Sequence, residues 1–339
     1  MTIMIGIDPH KASHTAVAVD AHEQFLDSTR LAASIDQIDH LRRWAAGFDD
    51  RVWAVESARG LGLVLSQQLV AAGETVLDVP PVLAARTWLL GSGRSQKNDP
   101  NDALSVAISA LRHHGLNAVQ PEAHAQVLKL MAKRHRDLSR LKNQAMSRLH
   151  AVLLDLVPGG LSGTMHPARA REILESIEIA GAMVAHRTDL AAELIDDIER
   201  LQSQIAQSKK RLQRVVAESA SSLTSIPGVG PVCAALIIGH VGDVSRFRSA
   251  GHFASYNGTA PLEASSGDRR RHRLNPHGNR QLNYALHIIA IVQLRCGGPG
   301  REFYDRKLIE GKSHKEALRS LKRHLSNVVF RTLVSDSNI

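Results

Sequence analysis

Four carboxylates stand where the sequence puts the ends of strands and the start of a helix. Asp8 closes the apolar run "MIGID", Glu56 closes "VWAVE", and Asp99 and Asp102 open "DPNDALSVA". A charge at a strand tip is costly unless something pairs it. Residues three apart in a helix share a face, so Asp99 and Asp102 can aim at one point. Oxygen donors without Cys or a dense His set suit Mg²⁺ or Mn²⁺ rather than zinc. Each acid also has an ordinary structural use: Asp99 before Pro100 suits an N-cap, Asp102 favours the helix dipole from the first turn, and Asp8 before Pro9 suits a turn. The metal reading rests on the four together.

Three further constellations point to phosphate chemistry. In "PLEASSGDRRRHR", Ser265 and Ser266 precede Gly267 and are followed by Asp268, Arg269, Arg270, Arg271, His272 and Arg273. A hydroxyl is a weak nucleophile until its proton is taken, and clustered guanidiniums stabilise charge on a phosphate. Taken alone, the same residues make a polar basic loop. Lys129, Lys133, Arg134, Arg136, Arg140, Lys142 and Arg148 fall along one expected helix with few acids between them, which suits either phosphate contact or a solvated face. In "SIPGVGP", Pro227, Gly228 and Gly230 set a tight turn between two short helices, as in a helix-hairpin-helix, whose amides can meet a phosphate or simply pack.

The composition agrees with an anionic polymer as partner. Of 339 residues, 42 are Lys or Arg and 33 Asp or Glu, a net charge of +9 with His neutral. With 43% apolar residues the chain can bury real cores, which excludes global disorder. Cys233 and Cys296 form neither a disulfide framework nor a metal-ligand spacing. No signal peptide and no apolar stretch of spanning length is evident, so the cytoplasm is expected and a membrane is not.

The elements that must position these residues change along the chain. Residues 1–118 read as a mixed α/β domain: a first strand and its hairpin return "HTAVAVDA", a helix around "SIDQIDHLRRWAAG", the strand "RVWAVES", the helix "GLGLVLSQQLVAAG", the strand "TVLDVP" and the helix "DPNDALSVAISALRHHG". Residues 119–220 read as long helices broken by "VPGGLSGTMHP". Leu194, Ile198, Leu201, Ile205, Leu212 and Val215 form a coiled-coil stripe with Ser208 as its polar member; it either packs on the chain's own helices or joins copies. Residues 221–339 read as a mostly helical third domain.

"GIDPHK", "VES" and "KNDPNDA" resemble the DEDD transposases of the bacterial insertion sequence one-ten family. "SIPGVGP", "YNGTAPLEASSG", "RLNPHGNRQL" and "GGPGREFYDRKLIEGKSHKEALRSLKRHL" resemble that family's C-terminal transposase domain. Asn98, where the family usually has Thr or another small residue, is a minor departure. The resemblance implies a RuvC-like, RNase H type N-terminal domain with Mg²⁺ or Mn²⁺ at the four acids. It also implies a C-terminal serine that attacks DNA, which by its motif is Ser266, with Ser265 the alternate. Recombination would run through a phosphoserine, with the two catalytic domains brought together across a dimer or tetramer. A structured noncoding RNA would pair with donor and target DNA. Two rival readings are a metal-dependent nuclease of the Holliday-junction resolvase type, in which water attacks, and a non-catalytic nucleic-acid-binding protein whose acids only cap helices.

Overall fold

The computed structural model describes residues 2–90, 99–158, 165–263, 272–273 and 278–337. The chain divides into two compact units, Met1–Glu122 and Ala123–Ile339.

In the first unit, β1 (Ile3–Pro9), β2 (Ser13–Val19) and β3 (Phe25–Ala32) form an antiparallel meander. The chain continues through α1 (Gln37–Trp44), β4 (Arg51–Glu56), α2 (Leu63–Ala71), β5 (Val76–Val79), α3 (Pro81–Leu90), α4 (Asp99–Arg112) and β6 (Asn117–Ala118). The sheet order is β3-β2-β1-β4-β5-β6, with β4 parallel to β1 and β5 parallel to β4. Three antiparallel strands followed by parallel ones are the arrangement that an RNase H type domain implies. β3, α3 and β6 add to the elements read from the sequence.

Strand alternation explains how the sheet presents its acids. Ile5 and Ile7 of β1, with Trp53 and Val55 of β4, pack with Leu41, Leu65 and Leu69 on one face. Met4 and Ala54 lie on the other face with Ala103, Val106 and Ala107 of α4. Asp8 and Glu56 continue the second set, so they emerge on the side that α4 covers. Gly6 makes the approach possible: a Cβ there would stand 2.2 Å from the carbonyl oxygen of Ala103 and 2.5 Å from the nitrogen of Ala107. Gly6→Ala is therefore expected to destabilise the chain by on the order of 3 kcal/mol, because neither contacting atom belongs to a side chain that could turn aside. Urea unfolding measures this, and an unchanged midpoint would contradict the contact.

The second unit contains α5 (His124–Leu154), α6 (Pro167–Glu175), α7 (Ala182–Ala217), α8 (Pro231–Val241), α9 (Ala250–Tyr256), the short strands β7 (Leu262–Glu263) and β8 (His272–Arg273), α10 (Arg280–Cys296), α11 (Pro299–Ile309) and α12 (His314–Ser337). The α7 stripe lies against α5, where Leu194 and Ile198 share a core with Ala145, Leu149 and Leu153. Leu212 and Val216 share another with Leu128 and Ala132. Ser208 meets the buried His135, with Oγ and Nδ1 3.3 Å apart. Burial, reinforced by Lys209, lowers the His135 pKa, which keeps this seam neutral. The residues of "SIPGVGP" connect a 3-10 turn, Ser222–Ser225, to α8. Gly228 has a φ of +83°, and a Cβ there would stand 3.1 Å from the Ile289 carbonyl, so this turn seats on α10. The Gln293 side chain donates to the Pro227 carbonyl at 2.6 Å.

Candidate functional site

The four acids read from the sequence line one cavity of about 670 Å³, together with His10 and Ser105. Asp8 arrives on the last turn of pleat in β1 and is only 6% exposed. Glu56 ends β4, half-buried, and the first turn of α4 carries Asp99 and Asp102, also half-buried. The backbone contact between Gly6 and Ala103 fixes how closely that first turn lies to β1.

Within the cavity Asp8, His10 and Asp99 offer ligand atoms that all lie within 4.8 Å of one another. His10 Nε2 stands 3.2 Å from Asp8 Oδ2 and 3.6 Å from Asp99 Oδ1. An Arg30 nitrogen stands 3.2 Å from Asp99 Oδ2. Glu56 and Asp102 line the same cavity outside this tighter cluster. The donor set is four carboxylates with one imidazole nitrogen, His10, standing near both Asp8 and Asp99, a mainly oxygen set that fits a divalent cation such as Mg²⁺ or Mn²⁺.

His10 and Arg30 are the residues that sequence reasoning missed. His10 follows Asp8 by two positions in "DPHK", just beyond the end of β1, where strand alternation no longer says which way a side chain points. Arg30 pairs across the sheet with Thr15, which pairs with Asp8, so the three share a face. That row becomes visible only once β3 is known to be a strand.

The other expected site residues fall in the second unit. Ser265, Ser266, Arg269, Arg270 and Arg271 lie outside the described residues, and Arg273 belongs to β8, opposite Leu262. The base of that hairpin is closely tied. A Cβ on Gly278 would stand 2.4 Å from Gly258 Cα, and the Asn279 amide donates to the Tyr256 carbonyl at 2.6 Å. The fully buried Asn257 donates to Ser326 Oγ at 2.8 Å and accepts from the Thr259 hydroxyl at 2.7 Å. Lys129, Lys133, Arg134 and Arg140 are all exposed on α5. Arg140 has a weak surface pair with Asp137 at 3.7 Å, whereas the other three have no ion-pair partner among the described residues. Gly230 N-caps α8, with open space where its Cβ would be.

Comparison with known proteins gives two family matches that together span both units. Residues 5–158 match the model of the DEDD transposases of the IS110 group, and residues 220–305 match that of the transposase IS116/IS110/IS902 family. The 44.8 kDa protein of insertion element IS116 from Streptomyces clavuligerus is 27% identical, over 98% of this chain and 94% of its own. The transposase for insertion sequence element IS1328 of Yersinia enterocolitica is also 27% identical, over 98% of this chain and 93% of its own. Among solved structures, RuvC of Thermus thermophilus in complex with a Holliday junction substrate is 19% identical, covering 35% of this chain and all of its own, with a TM-score of 0.29. The acidic motif, its cavity and two family matches along the chain lead to one assignment: the chain is similar, at residues 5–158 and 220–305, to the transposases of the IS110 group and of the IS116/IS110/IS902 family, and is an enzyme of DNA cleavage and rejoining.

Proposed function

We propose that the chain cuts and rejoins donor and target DNA through a phosphoserine at Ser266, with Asp8, Glu56, Asp99 and Asp102 holding Mg²⁺ or Mn²⁺ and a structured noncoding RNA choosing the sites. The observation that supports this best is the meeting of all four acids on one cavity, although they come from two strands and a helix start. Divalent cations bound there would neutralise the scissile phosphate and favour loss of the attacking proton. The Ser266 Oγ forms a bond to phosphorus as the deoxyribose oxygen departs and gains a proton. Rejoining reverses this, with a strand-end hydroxyl displacing the serine oxygen. Arg269, Arg270, Arg271 and Arg273 hold the phosphate meanwhile.

In this reading residues 1–118 are the metal domain, 119–220 a helical and coiled-coil connection, and 221–339 the serine domain with its helix-hairpin-helix. Acids and serine meet across protomers of a dimer or tetramer. Lys129, Lys133, Arg134 and Arg140, with the turn at Gly228 and Gly230, contact nucleic-acid backbone. Base pairing by the RNA supplies sequence choice. The protein works in the bacterial cytoplasm, on nucleoid DNA.

Reconstitution tests the scheme: purified full-length chain, donor-end DNA, target DNA and RNA transcribed from the element's flanks, with Mg²⁺ or Mn²⁺. Joined product is expected in the complete mixture and lost after ribonuclease or chelator. Joining that continues without RNA would remove the guide, and joining that continues in excess chelator would remove the metal.

A further inference from the structure

α8 lies unusually close to α5 at Gly239, where a Cβ would stand 2.6 Å from the Lys129 backbone nitrogen. This crossing sets Lys129 and Arg136 beside His240, near the end of α8. Burial, reinforced by those two cations, pushes the His240 pKa down to about 4, so the ring is neutral near pH 7. Asn279 Nδ2 lies 3.3 Å from His240 Nδ1 and 3.3 Å from the Tyr256 hydroxyl. An amide nitrogen donates, so Nδ1 of the neutral ring accepts and its proton sits on Nε2. The Tyr256 hydroxyl in turn donates to the His240 carbonyl at 3.3 Å.

Two arginines stand beside this neutral platform, Arg136 laid over one aromatic ring and Arg246 over two. The Arg136 guanidinium carbon is 4.6 Å from the ring centroid of Tyr284, a residue that is 42% exposed. That of Arg246 is 4.6 Å from Phe247 and 4.5 Å from Tyr256. Among the described residues neither arginine has an ion-pair partner. Asp243, the acid near Arg246, already accepts from the Ser245 amide at 2.8 Å and hydroxyl at 2.6 Å. A guanidinium stacked on a ring keeps its N–H edge for a bidentate acceptor and loses little freedom on binding.

We propose that Arg136 and Arg246, held flat by Tyr284 and by Tyr256 with Phe247 and joined through His240 and Asn279, form a two-point clamp for the phosphodiester backbone of a bound nucleic-acid strand. Two fixed guanidiniums with Lys129 beside them suit a ligand of repeating charge, and the rings suit its sugar and base faces. The clamp rests on the nucleic-acid reading above and names contacts for it other than the acidic cavity and Ser266 with its arginines.

The test uses the full-length chain with two probes, duplex donor-end DNA and the structured flank RNA, in binding titrations across a salt series. Arg136→Gln with Arg246→Gln is expected to weaken binding on the order of tenfold. The slope of log affinity against log salt should shrink by about 1.8 on duplex, roughly 0.9 for each lost phosphate contact. Restoring charge with Lys at both positions should recover most of the slope, and Arg211→Gln on α7 should leave both quantities unchanged. Thermal melts verify the fold of each variant. Loss confined to DNA, or confined to RNA, identifies the strand that the clamp holds. Wild-type slope and affinity on both probes in the folded double variant would overturn the clamp, as would an equal loss in Arg211→Gln. Failure of the wild-type chain to bind either probe would instead overturn the reading on which the clamp rests.

Discussion

Ser266→Ala is expected to abolish covalent attachment of DNA to the chain and, with it, recombination, a loss on the order of 10⁵-fold or more for removal of a nucleophile. The attacking oxygen is then gone while the metal acids are untouched, so metal binding and the melting temperature should stay as in the wild type. Ser265→Ala should be much milder. In the proposed scheme Gly267 would allow close approach of a backbone, and Arg269, Arg270, Arg271 and Arg273 would supply charge for the phosphate. Denaturing gels of labelled DNA with the protein, followed by peptide mapping of the adduct, give the answer. Cleavage at the normal rate in Ser266→Ala, with no adduct on either serine, would mean that water attacks, as in a resolvase-like nuclease.

The second large effect is expected from Asp8→Asn combined with Asp102→Asn. These changes keep shape and remove two negative charges from the cavity that Asp8, Glu56, Asp99 and Asp102 line. Losing cation stabilisation of the reacting phosphate is worth several kcal/mol, hence a fall of ~10³-fold or more in strand cleavage. Calorimetric titration with Mg²⁺ and Mn²⁺ should show affinity falling in parallel. Unchanged metal affinity in the double variant, with cleavage lost, would place the metal elsewhere.

The four acids lining the cavity were legible because acids that end apolar runs or open a helix stand out in a sequence; the face they share follows from the period-two alternation of the strands once these are in place. Ile5 and Ile7 point one way, so Gly6 and Asp8 must point the other, and Ala54 and Glu56 follow the same rule. β3 was not legible. Its eight residues "FLDSTRLA" are almost all exposed, with no apolar face to betray them; pairing to β2 at the sheet's edge makes them a strand. The loss mattered, since Arg30 could be placed beside Asp99 only through that register. α3 was missed for a different reason: "PVLAARTWLL" is a short apolar run whose weak periodicity does not separate helix from strand. The α7 stripe was readable as a seam, but not its partner. α5 was marked by its cations, and the series Leu128, Ala132, His135 that meets α7 went unread beneath them.

The cross-strand row from Asp8 through Thr15 to Arg30 has a consequence for the order in which folding and ion uptake occur. Small domains built around structural zinc are unfolded without their metal, because the ion supplies the energy that the core lacks. This unit has apolar cores on both faces of its sheet, and its own groups answer the carboxylates: the His10 ring for Asp8, Arg30 and the same ring for Asp99. If the cavity takes up the divalent cations proposed above, folding and metal uptake are thereby separate equilibria: the chain is expected to fold as an apoprotein, and the supply of divalent ion would decide when it cuts.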